Sequence, residues 1–180
     1  MHLNAAVRIA LLAVCGSLVT FAAEPLTGFR AEVMHQIEDA QKKSIALAEA
    51  MPQDKYTWRP AKGVRSVSEV FMHIAGANFM LPTMIGGKMP TGLRRDMETT
   101  VTDKAQVVEM MKKSFANMRE IVENTKDEDL NTEVNMFGSK TTKRGALLLM
   151  SDHLHEHLGQ SIAYARVNGV TPPWSQGKGD

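Results

Sequence analysis

One cysteine stands among the 180 residues, at position 15. A disulfide framework is therefore excluded, and so is a thiolate-rich metal cluster. Charge of either sign is not in excess, with Lys+Arg 21 against Asp+Glu 20. No basic face announces nucleic acid, and no polybasic run announces a membrane surface. Alternation at period two is missing, as are internal repeats and low-complexity segments. No serine sits in a nucleophile context and no general base stands out. The metalloprotease pattern H-E-x-x-H is absent too, because Gly159 stands where its second histidine would be.

What is present begins with a leader. A weakly basic start, Met1 to Arg8, precedes the apolar run Ile9 to Phe21 and then Ala22-Ala23. This is the pattern of a secretory signal peptide cleaved after Ala22, with small residues at Thr20 and Ala22. An uncleaved anchor is the alternative, although the run falls short of the roughly 20 residues a span needs. The expectation is a signal peptide at 1–22 and one exported domain, periplasmic or secreted, at 23–180. Cleavage removes Arg8 and the only cysteine but no acidic residue, leaving a formally neutral chain whose stability rests on core packing, with a bound metal able to add to it.

Past the leader, apolar residues recur at three- and four-residue steps. Phe29, Val33, Ile37, Ala40 and Leu47 predict a helix over 26–50, ended by Met51-Pro52. After a loop over 53–65, Ser66-Val67-Ser68-Glu69 reads as a capping box opening a second helix toward Gly86-Gly87, with Pro82 able to kink or shorten it. A polar connection over 88–101 leads to a third helix ending near Asn124. Residues 126–141 are irregular, with 132–137 a brief strand candidate. The fourth helix runs from about Thr142 to Val167, closed by Asn168-Gly169. Of the thirteen methionines, those left once Met1 goes with the leader read as core filler rather than as soft ligands. The expected class is all-α, a four-helix bundle whose long second connection can carry the chain across and leave helices two and three parallel.

The chemistry concentrates in Asp152-His153-Leu154-His155-Glu156-His157-Leu158-Gly159-Gln160. On a helix, His153 and His157 share one face, a turn apart, while His155 points roughly 200° from His153. Such a pair offers a transition metal two nitrogens, and a site needs a third ligand from elsewhere. His35, His73 and carboxylates are the candidates. His73 lies among Val70, Ile74 and Ala77, beside the apolar stripe, whereas His35 adjoins Gln36 and Glu38. A solvated histidine face with one core histidine is the competing reading. Glu156 reads as a surface carboxylate or as an orienting group, and Gln160 could hydrogen-bond a ligand. Arg59, Tyr164, Arg166 and Trp174 could line a pocket mouth.

Several segments together resemble the DinB-like (YfiT-like) superfamily of metal-binding helical bundles. They are Met51-Pro52-x-Asp54-Lys55-Tyr56-x-Trp58-Arg59-Pro60 and Arg65-Ser66-Val67-x-Glu69-x-Phe71-x-His73-Ile74-Ala75, then Asp152-His153-Leu154-x-Glu156-His157-x-Gly159-Gln160. Tyr164-Ala165-Arg166-x-Asn168-Gly169-x-x-Pro172-Pro173-Trp174 completes the set. The resemblance implies an up-down-down-up bundle and a divalent metal held by His73, His153 and His157. Zinc, nickel, iron and copper all suit imidazole and are not distinguished. Three neutral imidazoles would leave open coordination positions, so a metal-dependent hydrolase or transferase of a small molecule is expected. A non-catalytic metal- or ligand-binding stress protein is the rival. Export would part the chain from the small thiol cofactors some family members use. A homodimer is compatible with the bundle, though no exposed seam marks one.

Overall fold

A computed structural model describes residues 25–177; the leader read at 1–22 lies outside them. The main helices are α1 (Gly28–Ala50), α2 (Val67–Thr83), α4 (Lys104–Asn124) and α5 (Lys143–Val167), with a single turn, α3 (Met97–Thr100), between α2 and α4. A hairpin of β1 (Glu133–Met136) and β2 (Ser139–Thr142) precedes α5, antiparallel, with Glu133 opposite Thr142 and Met136 opposite Ser139. Among the described residues no helix is long and apolar enough to cross a membrane.

Each of α1 and α2 packs against both α4 and α5. Side-chain contacts give the directions. Arg30 at the start of α1 reaches Asp127 just past α4 at 2.7 Å, and Gln53 beyond the end of α1 receives the Lys104 amide at 2.7 Å, so α1 and α4 are antiparallel. The Arg144 guanidinium stands 4.6 Å from the Phe29 ring, which makes α1 and α5 parallel. Asn78 donates to Ser114 at 3.2 Å, while Pro82 and Gly86 share a cleft with Asn117 and Asn124 further along, so α2 and α4 also run together. The bundle is up-down-down-up, as expected.

The core is built from the apolar stripes of α1, α2 and α4 together with residues of α5. Ile37, Leu47, Ile74, Met111, Phe115, Met118, Leu147, Met150 and Leu154 are fully buried. Burying each such side chain is worth about 1.5–3 kcal/mol. Methionine fills the middle of the bundle as anticipated. Tyr56 is buried whole and donates its hydroxyl to the Ala48 carbonyl at 2.7 Å, tying the loop after α1 to that helix.

Three elements depart from the sequence-based expectation. α2 stops at Thr83, short of Gly86-Gly87. Pro82 lacks an N–H, and its carbonyl is taken by the amides of Ile85 and Gly87. Both glycines serve this turn: Gly86 has φ of 106°, and a Cβ on Gly87 would lie 2.8 Å from the Pro82 oxygen. The second difference is α3, a helical turn inside the supposedly polar connection. The third is β2, whose partner strand alone was anticipated. Its turn, Phe137-Gly138, has positive φ at both residues (53° and 86°), a conformation ordinarily marked by Asn-Gly.

Candidate metal centre

α2 is anchored at its first turn, and this fixes where His73 points. The amides of Val67 and Ser68 donate to the carbonyls of Trp58 and Tyr56, at 3.0 and 2.8 Å. The Glu69 amide donates to the Ser66 hydroxyl at 3.3 Å, and the Glu69 carboxylate accepts from the Ser66 amide at 2.7 Å. Three amides of that first turn thus have partners before the helix begins its own ladder. Arg59 braces the same corner by donating to Glu69 at 2.9 Å and to the Val64 carbonyl at 2.8 Å.

Two turns into α2, His73 meets the i, i+4 pair of α5. Ring centroids lie 5.1 Å apart for His73 and His153, 4.7 Å for His73 and His157, and 4.5 Å for His153 and His157. One nitrogen from each ring lies within 4.8 Å of the other two. The Nε2 atoms of His73 and His153 are 3.2 Å apart. Two nitrogens bound about 2.0–2.1 Å from one tetrahedral ion stand about 3.3–3.4 Å apart, so this edge of the cluster already has the required span.

Hydrogen bonds on the outer nitrogens aim two of the rings. Nδ1 of His73 donates to Glu98 Oε2 at 3.1 Å, and Nδ1 of His157 donates to Gln160 Oε1 at 2.8 Å. Each leaves an Nε2 lone pair free for a cation. The network continues outward: Gln160 Nε2 donates to the Tyr164 hydroxyl at 3.1 Å, and that hydroxyl donates to the Arg65 carbonyl at 3.2 Å. Arg65 Nε in turn donates to Glu98 Oε1 at 2.7 Å. A chain of contacts therefore runs from His157 around to His73. Trp58 packs edge-on against Tyr164, 5.4 Å between centroids, and walls this network. His153 differs, since its Nδ1 is buried with no hydrogen-bond partner.

Electrostatics keep the cluster in the form a cation needs. Burial lowers the His153 imidazole to about 4, with further lowering from His157, His73 and Arg65. Burial also lowers His73, and the Glu98 hydrogen bond only partly offsets it. Burial pushes the Glu98 carboxyl upward, but hydrogen bonds from Arg65 and His73 outweigh it and hold it below its ordinary value. At neutral pH, then, His73 and His153 are neutral and Glu98 is ionised. Converging imidazoles without oxygen donors suit zinc, nickel, iron or copper rather than magnesium or calcium. These residues fit a divalent transition metal.

The other candidates fall away from the cluster. His35 is exposed on α1, and Glu156 is exposed on α5. His155 turns back along its own helix, its Nδ1 2.8 Å from the Ser151 carbonyl. Arg59 serves the capping corner, Arg166 is exposed, and Trp174 packs on the core near α1. Gln160 and Tyr164 do join the site, beneath His157. Glu98 and Arg65 were not singled out from the sequence as site residues. Only the return of the chain past α2 gives Glu98 its place.

Fold and site together define a helical bundle whose histidines could hold a metal ion. Residues 36–161 match the DinB superfamily, and the chain belongs to it. An uncharacterised Bacillus subtilis (strain 168) protein, YjoA, is 28% identical over 129 residues, covering 69% of this chain and 81% of YjoA. The crystal structure of YjoA, a DinB-like protein, superposes with a TM-score of 0.63 at 26% identity, covering 78% of this chain and 93% of that one. A DinB-like protein from Bacillus cereus ATCC 10987 shares the fold at 20% identity, with a TM-score of 0.65 and coverage of 81% and 93%.

Proposed function

We propose that this chain is an exported metal-dependent enzyme, a hydrolase or transferase acting on a small molecule. The observation that carries the reading is the convergence of His73, His153 and His157 from two antiparallel helices, two of them aimed by hydrogen bonds on their outer nitrogens. A divalent cation held there would supply Lewis acidity, polarising a substrate oxygen and acidifying water toward neutral pH. The protein's own part is to hold the His73 and His157 lone pairs aimed at a common point, with His153 Nε2 3.2 Å from that of His73. Gln160 and Tyr164 fix His157, and Glu98 fixes His73. Arg65 in turn holds Glu98 in place at 2.7 Å.

The test has two stages. Metal content of the purified protein is measured first by elemental analysis, where about one transition-metal ion per chain is expected. Esters, amides and electrophiles with thiol or amine acceptors are then screened with and without a chelator. Turnover abolished by the chelator and restored by one metal supports the enzyme. A second reading, a non-catalytic protein in which the cation braces α2 against α5, is favoured by the exposure of Asp152 and Glu156, the two acidic residues of α5, neither of which joins the cluster. Stoichiometric metal with thermal stabilisation but no turnover across the screen would select it.

A further inference from the structure

Glu98 belongs to neither metal-bearing helix. It sits in α3, near the far end of the crossover, and its carboxylate is shared between two partners: Oε1 accepts from Arg65 Nε at 2.7 Å and Oε2 accepts from His73 Nδ1 at 3.1 Å. A carboxylate on the outer nitrogen of a ligating histidine fixes its tautomer, orients the ring and raises its basicity. Arg65 matters here because it holds the carboxylate in place. α3 itself is one turn, maintained by the Thr100 amide donating to Asp96 and the Val101 amide donating to Met97, at 3.0 and 3.1 Å. So short a helix has little stability of its own.

We infer that Glu98 is a positioning residue for the three-histidine site and that, through it, cation binding and ordering of the α3 turn are coupled. The inference rests on the metal-binding reading above. Coupling between two sites is reciprocal: if an ordered α3 improves cation affinity, a bound cation must stabilise α3 by the same factor. The consequence reaches beyond His73. Met97 and Glu98 also wall an apolar cavity of about 440 Å³, lined by Met72, Phe79, Met80 and Met110, so the turn that aims the histidine also shapes this space.

The experiment uses the purified protein stripped with chelator and titrated with Co2+, read by its visible absorption and by competition with a chromophoric chelator. Hydrogen exchange of amides 97–101 is followed with and without the ion. Variants are Glu98→Ala, Glu98→Gln and, as a control in the same segment, Asp96→Ala, which breaks only the neighbouring pair with Arg94. Expected is a 10–100-fold loss of Co2+ affinity with an altered absorption band in Glu98→Ala. Glu98→Gln, nearly isosteric and still an acceptor, should fall between, and it keeps the test decisive if the alanine variant folds poorly. Asp96→Ala should match wild type. Co2+ should slow exchange at 97–101 in wild type and leave Glu98→Ala unchanged. Wild type that binds Co2+ while both Glu98 variants stay within twofold of it would overturn this inference and leave the metal site standing. Failure of wild type to bind Co2+ at all would overturn the metal reading and this inference with it.

Discussion

Acid should destabilise the metal-free protein through His153 before its carboxylates are protonated. Burial and the neighbouring rings lower this imidazole from 6.5 to about 4. Above pH 6.5 the ring is neutral folded or unfolded, and no penalty arises. Between 6.5 and 4 the unfolded chain carries a proton that the folded chain excludes, so stability falls as pH drops. Below about 4 both states are protonated and the loss is complete. The full shift corresponds to about 3 kcal/mol at 1.36 kcal/mol per unit, and solvent screening of a half-buried ring reduces this to on the order of 2 kcal/mol. His73, lowered in the same direction by burial, adds to the slope. The assay is thermal unfolding of chelator-treated protein from pH 7.5 to 4, comparing wild type with His153→Phe. Wild type should lose about 4–8 °C of thermal midpoint relative to the variant across that range, at about 2–4 °C per kcal/mol for a domain this size. Because the carboxylates titrate alike in both proteins, the difference isolates the imidazole. Parallel pH profiles in the two would refute the burial argument.

Three further outcomes are expected. His153→Ala and His157→Ala should abolish stoichiometric metal by elemental analysis while His155→Ala, whose ring faces the Ser151 carbonyl, retains it; equal behaviour of all three would contradict the assigned geometry. Ser66→Ala should lower stability by about 1 kcal/mol in urea unfolding, since it removes the N-cap acceptor of α2, and an unchanged midpoint would show the cap to be idle. Phe137→Asn should raise stability by about 0.5–1 kcal/mol, because the phenylalanine is 65% exposed and holds φ of 53°, a region Asn enters more readily; a lower midpoint would mean that the ring makes contacts of value.

Local signals were legible where a short window holds all the physics. The spacing of His153 and His157 needs only a helix to converge. Ser66 and Glu69 form their capping box within four residues. His73 could be told from His35 by its neighbours, since Val70, Ile74 and Ala77 flank a face that must turn inward, while Gln36 and Glu38 hold His35 in water. The parallel placement of α2 and α4 followed from a connection too long for a hairpin. What escaped was non-local or chemically atypical. Glu98 lies 25 residues from His73 in a polar stretch without periodicity. Nothing in its surroundings distinguishes it from Asp96 or Asp103 until the chain folds back. β2 escaped because Phe137-Gly138 adopts a turn that the sequence does not advertise.

The place of Glu98 follows from the topology rather than from accident. Parallel neighbours cannot be joined by a tight turn: after 17 residues of α2, about 25 Å at 1.5 Å per residue, the chain must travel the whole distance back before α4 can start. The return leg has to lie against the outside of the bundle, and on its way to the N-terminal end of α2 it must pass His73, two turns into that helix. Glu98, six residues ahead of Lys104, is at that passing point. An up-down-up-down bundle with short loops would bring no such segment past α2, and His73 would then need its outer hydrogen bond from a helix or from solvent. The same crossover that satisfies the connectivity therefore delivers a carboxylate to one nitrogen of the site and an apolar wall to the cavity beside it. If that is the reason for its length, shortening the crossover between Thr83 and Met97 should spare the helical content yet weaken metal affinity. Glu98 would lose its reach long before the core residues felt the change.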